Sequence, residues 1–94
     1  MIRVVSRGVF FPDNLEQALS LYRTLVEQTR LEEGCLEYQI CQQSESPTCL
    51  TVIETWQSKE ALDKHMQSEH FKIYVPQLSK LKLSDSLDIY ETII

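Results

Sequence analysis

The segments CLEYQICQ (residues 35–42) and CLTVIETW (residues 49–56) decide the fold, because both alternate in polarity as half-buried β-strands do. The polar connection QSESPT at residues 43–48 has the composition of a turn, so the two segments predict an antiparallel hairpin. A register that pairs Ile40 with Leu50 brings most of the large apolar side chains to one side of the sheet. The set on that side is Leu36, Tyr38, Ile40, Leu50, Val52, Glu54 and Trp56.

A strand and a helix are predicted before this hairpin. Residues 2–11 alternate with apolar side chains on both faces, which predicts a strand, and the sequence PDN at residues 12–14 ends it. Residues 15–33 carry one apolar stripe at helical spacing, which predicts a helix. Gly34 is well placed to be the left-handed C′ residue that ends this helix.

Two helices and a strand are predicted after the hairpin. Ser58 is expected to cap a short helix that runs to Met66, and Ser68 is expected to cap a second helix. Pro76 either kinks this second helix or begins a new segment. Residues 87–93 (LDIYETI) alternate in polarity and predict a last strand.

The resulting order, β-α-β-β-α-β, predicts a ferredoxin-like α+β fold, in which a four-stranded antiparallel sheet carries all the helices on one face. The opposite face would still hold apolar side chains that need cover, namely Val5, Val9, Phe11 and Ile53. A second copy of the chain is the simplest cover, so we expect a homodimer formed through the helix-free sheet face.

Length and charge restrict the possible partners. Ninety-four residues predict a single domain over residues 1–94. The formal net charge of −5 and the absence of a basic run argue against nucleic acid and membrane surfaces as partners. Residues 1–7 (MIRVVSR) carry charges within their apolar run, so no signal peptide is expected.

The three cysteines lack the C-x-x-C spacing of metal sites and indicate a reducing, cytoplasmic location. In the register that pairs Ile40 with Leu50, Cys41 lies opposite Cys49 and within reach of a disulfide, although reduced thiols are expected. Cys35 has no histidine close in sequence, so a thiol enzyme is not expected.

The stretch IETWQSKEALDKHMQSEHF (residues 53–71), together with EGCLEY (residues 33–38), resembles the antibiotic biosynthesis monooxygenase (ABM) family. The resemblance implies a dimeric α+β barrel with a pocket between helices and sheet in each subunit. Members of this kind include quinol monooxygenases and polyketide anthrone oxygenases, which use molecular oxygen without metal, flavin or haem. Other relatives degrade haem or isomerise a phosphorylated sugar, and the fold does not select among these activities.

The haem-degrading branch can be weighed on individual residues. Its members resemble this chain at Trp56, but they place an asparagine on the first strand where Ser6 stands here. Their iron-ligating histidine would fall near residues 74–76 (YVP), which contain no histidine. Haem is therefore not expected, and no metal ligand set is predicted.

Cofactor-free oxygen chemistry needs a base beside a phenolic substrate and aromatic walls around its ring. His65 and His70 are the candidate bases, and Glu54 is the candidate for orienting a histidine or for acting as a base with a raised pKa. The candidate substrate-binding residues are Trp56, Tyr38, Phe71, Tyr74 and Ser6. Each has a structural alternative: the aromatic rings as core, Glu54 as a structural carboxylate, His65 as a cationic helix cap, and His70 as a hydrogen-bonded structural residue.

The resemblance, together with these candidate residues, thus implies a cofactor-independent monooxygenase that acts on a quinol or a related phenolic, polyketide-like molecule, with molecular oxygen as co-substrate. A first alternative is an isomerase of a small carbonyl compound, which would need Ser6, Arg7 or Lys72 as an anchor for the substrate. A second alternative is a non-catalytic ligand-binding dimer, which a site filled by its own side chains would favour.

Overall fold

A computed structural model describes residues 1–94 and confirms the predicted order of elements. Strand β1 is followed by a short 3-10 helix at Pro12–Asn14, and three α-helices and three more strands complete the chain. The elements are β1 (Ile2–Phe10), α1 (Leu15–Arg30), β2 (Cys35–Gln43), β3 (Ser46–Trp56), α2 (Lys59–Met66), α3 (Glu69–Leu81) and β4 (Lys82–Glu91).

The four strands form one antiparallel sheet in the order β2-β3-β1-β4, which is the ferredoxin-like arrangement. Buried apolar side chains of α1 and α3 pack on one face of this sheet and form the core with strand residues. The cluster includes Val4, Phe10, Ala18, Tyr22, Leu25, Tyr38, Leu50, Val52, Trp56 and Leu78. The predicted α+β class and the single helix-bearing face are confirmed.

The predicted register of the hairpin was wrong by two residues. Ile40 pairs with Val52 rather than with Leu50, and the strands are joined by a turn at residues 44–45 instead of the longer connection at 43–48. Because side chains alternate with a period of two, an even shift leaves most of the predicted face unchanged. Cys41 now lies opposite Thr51, so the predicted Cys41–Cys49 proximity is lost, and all the cysteines are free.

A bulge at the start of β2 changes the position of one predicted core residue. Trp56 pairs with Cys35 and Thr55 pairs with Glu37, so Leu36 has no partner on β3. The Leu36 side chain is 55% exposed, whereas Cys35 packs against the core. The prediction that Leu36 faces the helices and Cys35 faces away was therefore wrong.

Gly34 has the positive φ that was expected, but not as the C′ residue of α1. The helix ends at Arg30, and Gly34, with φ of 85°, lies beyond it at the start of β2. A Cβ atom on Gly34 would lie 2.6 Å from the Cβ of Ala61 in α2. Its carbonyl oxygen accepts a hydrogen bond from Gln57 N at 2.8 Å, so this glycine lets β2 begin directly against α2.

Both serine caps are confirmed. Ser58 Oγ accepts a hydrogen bond from Ala61 N, and Ser68 Oγ accepts one from Phe71 N. Pro76 lies inside α3, which continues to Leu81 without beginning a new segment. Strand β4 then starts at Lys82, five residues before the predicted start at residue 87.

Cover of the sheet by the helices stops at β1. Leu87 and Ile89 of β4 pair with Ser6 and Val4 on the helix side, yet they are 59% and 55% exposed. On the helix-free face the four apolar side chains noted in the sequence are half-buried or exposed. None of the helices is long and apolar enough to cross a membrane.

Candidate functional site

A single carboxylate oxygen joins the ends of all three helices. Glu32 follows the last turn of α1, His65 lies in the last turn of α2, and His70 lies in the first turn of α3. Glu32 Oε2 is 2.6 Å from His65 Nδ1 and 2.7 Å from His70 Nε2. Because a carboxylate only accepts hydrogen bonds, these two ring nitrogens carry the protons that they donate to it.

The His65 imidazole is enclosed by aromatic rings and is 1% exposed. Its ring centroid lies 4.6 Å from that of Trp56, and the rings of Tyr38 and Phe71 meet it edge-on at 5.6 and 5.2 Å. Burial lowers the pKa of His65, while the hydrogen bond and charge of Glu32 act in the opposite direction. The neutral imidazole is thereby favoured over the cationic helix cap considered as its alternative role.

Glu54 lies behind His65 on the helix-covered face of β3. Its Oε1 atom accepts a hydrogen bond from Trp56 Nε1 at 2.9 Å and lies 4.0 Å from His65 Nε2. Glu54 and Trp56 are two residues apart on β3, so their side chains lie on the same face of the sheet. Burial raises the pKa of Glu54 to about 7, even though the Trp56 hydrogen bond acts to lower it. This is the direction that was considered for Glu54 from the sequence.

Some of the predicted site residues line a cavity, and others line none. A cavity of about 320 Å³ between α1 and α3 is lined by Thr24, Gln28, Glu69, His70, Ile73 and Tyr74. It brings together one candidate base, His70, and one candidate aromatic wall, Tyr74. None of the four principal cavities is lined by Glu54, Trp56 or His65.

The other aromatic candidates surround His65 or line shallow surface cavities. Tyr38 is 4% exposed, and burial raises the pKa of its phenol well above the usual range. Phe71 is half-buried with its edge toward His65, and Trp56 is fully buried. Trp56 and Phe71 therefore support the imidazole without lining any of the four cavities, whereas Tyr38 also lines a shallow cavity at the surface of β2.

Ser6 is separated from the histidines. It lies on β1 between Val52 of β3 and Leu87 of β4, and it lines none of the principal cavities. The other anchors that an isomerase would need do not line the four cavities either: Arg7 contacts Gln43 at 3.5 Å, and Lys72 is exposed on α3.

The largest of the four cavities, of about 430 Å³, lies between α1 and the strands β2 and β3, where the family resemblance implied a pocket, but the residues that line it were not among the predicted site residues. It combines an apolar lining that includes Tyr22, Val26 and Ile40 with the guanidinium groups of Arg23 and Arg30. Arg30 is partly engaged, since its Nε donates to Tyr38 O at 3.1 Å. No predicted catalytic residue lines this cavity.

Glu32 is the site residue that the sequence interpretation missed. A carboxylate just beyond the C-terminal end of a helix is unfavourable with the helix dipole unless a proton donor or cation compensates it. That mismatch in the run Leu31-Glu32-Glu33 was the only local signal. Its partners lie 33 and 38 residues away, beyond the reach of a short motif.

The same three residues are the group most suited to hold a metal ion. Glu32, His65 and His70 each offer one ligand atom, and these atoms lie within 4.8 Å of one another. Imidazole nitrogen and carboxylate oxygen are ligands that zinc and its neighbouring transition metals accept.

Comparison with known proteins relates this geometry to a family. The model of the family described as "Antibiotic biosynthesis monooxygenase" matches residues 1–77. The "Putative monooxygenase YcnE" of Bacillus subtilis (strain 168) is 30% identical over 81 residues, covering 86% of this chain and 84% of that protein. A Synechocystis protein, sll1783, is 31% identical over 64 residues, but the match spans only 44% of its length.

Solved structures agree with the sequence matches. A conserved protein from Methanosarcina mazei Go1 has a TM-score of 0.95 at 35% identity, over 98% of this chain and 92% of its own. A crystal structure of an antibiotic biosynthesis monooxygenase has a TM-score of 0.94 at 30% identity, over 100% of both chains. The chain therefore belongs to the antibiotic biosynthesis monooxygenase family.

Proposed function

We propose that the protein is a cofactor-independent monooxygenase that oxidises a quinol or a related phenolic, polyketide-like molecule with molecular oxygen. The observation that carries this proposal is the position of His70, which lines the cavity between α1 and α3 while its Nε2 is held by Glu32 at 2.7 Å. With Nε2 protonated, Nδ1 keeps its lone pair and is the atom that takes a proton. Glu32 stabilises the imidazolium that results, as the carboxylate of a Ser-His-Asp triad does.

The reaction begins when His70 Nδ1 removes the proton of a substrate hydroxyl. The phenolate is electron-rich enough to reduce oxygen directly, so the substrate supplies all the electrons. For a hydroquinone, one oxygen atom enters the ring and the other leaves as water with two hydrogens, which gives a hydroxyquinone. Tyr74 borders the same cavity and is the residue that we propose to flank the ring.

Glu54, His65 and Trp56 have a positioning role in this proposal. They are buried and line none of the principal cavities. His65 Nδ1 holds Glu32 Oε2, while Trp56 donates a hydrogen bond to Glu54 beside the His65 ring. The packing around them also supports a second candidate function, a non-catalytic ligand-binding protein, because no cavity opens at Glu54 or His65.

Oxygen consumption by the purified protein, measured with hydroquinones and anthrones in the presence of a chelator, tests the proposal. We expect uptake that the chelator does not reduce, and a loss of about 100-fold to 10,000-fold in kcat for His70→Gln. Lys72→Gln, which alters an exposed charge on the same helix, is the matched control and should retain full activity. A folded protein that oxidises no phenolic substrate contradicts the proposal and favours the ligand-binding alternative.

The proposed partners are the small-molecule substrate and a second copy of the chain. The helix-free sheet face carries half-buried Val5, Val9 and Ile53, together with Phe11 at 46% exposure, and this apolar surface supports a homodimer. The free state of all three cysteines agrees with the proposed cytoplasmic location.

A further inference from the structure

We infer that Glu32, His65 and His70 form a binding site for a divalent transition-metal ion of the zinc class, such as Zn²⁺ or Co²⁺. Two imidazoles and one carboxylate converge here from three helix ends, with their ligand atoms within 4.8 Å of one another. Three protein ligands that leave a further position open are the usual arrangement of reactive zinc sites in proteins. The sequence analysis predicted no metal ligands, so this site departs from that expectation.

The required movement of the ligands is small. Donor atoms about 2.1 Å from a tetrahedral ion lie roughly 3.4 Å from one another. Glu32 Oε2 now lies 2.6 and 2.7 Å from the two ring nitrogens, because hydrogen atoms occupy the space between them. Glu32 follows α1, outside any helix or strand, and its side chain is 16% exposed, so it has room to withdraw as the nitrogens converge on the ion.

Glu54 and Trp56 provide the outer layer that such a site needs. An ion bound at His65 Nδ1 moves the ring proton to Nε2, which faces Glu54 Oε1 at 4.0 Å. With a shorter contact, Glu54 would accept a hydrogen bond from this N–H, which fixes the ring and strengthens the imidazole as a ligand. Trp56 Nε1 already holds Glu54 Oε1 at 2.9 Å, so the carboxylate is oriented before any ion arrives.

Solvent reaches the site at His70 and Glu32. His65 is enclosed, whereas the side chains of His70 and Glu32 are 17% and 16% exposed and border the surface. A water molecule or a small anion would complete the coordination from that direction.

The site also has a consequence that rests on the proposed function. An ion at His70 Nε2 forces the remaining ring proton onto Nδ1, the atom that would otherwise take the proton of the substrate. Metal binding and general-base catalysis by His70 therefore exclude each other. We expect Zn²⁺ to inhibit oxygen consumption and a chelator to restore it.

Cobalt titration of the untagged, full-length protein tests the site directly. Metal-free protein is titrated with Co²⁺, the visible d–d absorption is recorded, and Zn²⁺ is then added to displace the cobalt. We expect one Co²⁺ per chain, displaced by Zn²⁺, with affinity reduced at least tenfold in both Glu32→Gln and His70→Gln. Glu33→Gln removes the neighbouring exposed carboxylate and should leave the affinity unchanged.

Two results would overturn the inference. One is the absence of saturable cobalt absorption, or absorption that Glu32→Gln and His70→Gln both leave unchanged. The other is a thiolate-to-cobalt charge-transfer band that disappears in Cys35→Ser, which would assign the ion to the half-buried thiol near Glu32. Circular dichroism shows whether each variant is folded. If Glu32→Gln is unfolded, the cobalt affinity of His70→Gln alone tests the site.

The two proposals fail in different ways. Cobalt binding without turnover of any phenol leaves the metal site in place and contradicts the monooxygenase. Turnover of a phenol without cobalt binding contradicts the metal site and leaves the monooxygenase proposal in place. Turnover that continues with the site fully occupied by Zn²⁺ contradicts the exclusion between metal and base.

Discussion

Lys82, the first residue of β4, places a charged group in a mostly apolar position. Its side chain is 12% exposed and crosses β1 at Gly8, where an added Cβ would lie 2.9 Å from Lys82 Cε. The ammonium lies 5.9 Å from the centroid of the Phe10 ring and 3.9 Å from Asp85 Oδ2. Burial lowers the pKa of Lys82, and the charge of Asp85 only partly opposes this effect.

Lys82→Met should therefore stabilise the protein at neutral pH, because it keeps the apolar stem and removes the desolvated charge. The folded-state pKa of Lys82 lies below its ordinary value of 10.5, so the unfolded chain binds more protons between the two values. Wild-type stability attributable to this group accordingly rises with pH across that interval. We expect the advantage of Lys82→Met to be full below the folded-state pKa of Lys82 and to shrink as the pH rises from that value to 10.5.

Urea unfolding of both proteins between pH 7 and pH 11 measures this difference, and titrations shared by the two proteins cancel in the comparison. A methionine variant that is less stable than the wild type at pH 7 would show that the contacts with Asp85 and Phe10 outweigh the cost of burial.

At the scale of single residues, the sequence indicated the buried carboxylate of Glu54 in the sheet but not Glu32, which joins the two histidines. Alternation placed Glu54 and Trp56 on one face of β3, and a buried carboxylate there was expected to have a raised pKa. Glu32 lies outside regular structure, so no periodicity indicates where its side chain points. Its role depends on how α1, α2 and α3 meet, which is a result of tertiary packing.

At the scale of elements, alternation determined which side chains share a face, and turn geometry determined which residues are paired. The Ile40–Leu50 register and the observed Ile40–Val52 register place the same face toward the helices, so burial could not distinguish them. The observed turn is shorter because Gln43 extends β2 while Pro47 and Thr48 extend β3. Gln42 Nε2 donates to Pro47 O at 2.8 Å. The polar composition of residues 43–48 concealed these strand residues.

The junction between β2 and α2 should be intolerant of a side chain at Gly34. Gly34→Ala combines a left-handed backbone, which costs about 1–2 kcal/mol for a residue with a Cβ, with a collision against Ala61. We expect the free energy of unfolding, measured in urea, to fall by more than this backbone cost alone. The double variant Gly34→Ala/Ala61→Gly should be more stable than the sum of the two single variants predicts, by the part that is due to the collision.

Gly8→Ala is the control for that cycle, since its new Cβ would meet chiefly the flexible stem of Lys82 and should be less destabilising. If the effects of Gly34→Ala and Ala61→Gly simply add in the double variant, the backbone conformation accounts for the whole effect of Gly34→Ala.

At the scale of the whole molecule, the helix-free face is the surface on which the proposed homodimer depends. Ile53 on β3 pairs with Val5 on β1 near the middle of this face. Ile53→Glu should convert a dimer into a monomer, because a two-fold interface would bury the new charge twice. Light scattering measures the mass, and Leu31→Glu, at a position 82% exposed beyond α1, should leave it unchanged. A monomeric wild-type protein would contradict the proposed interface.

Strand β4 has a consequence for how the molecule behaves at high concentration. One edge of this strand has no neighbour in the sheet, the helices do not cover it, and it carries exposed Leu83, Leu87 and Ile89. An uncovered edge of this kind is a template to which another chain can add a strand and start aggregation. Asp85, Asp88 and Glu91 interrupt the apolar positions with negative charge, so approaching edges of identical chains repel each other. We therefore expect the acidic residues of β4 to oppose edge-to-edge association of identical chains.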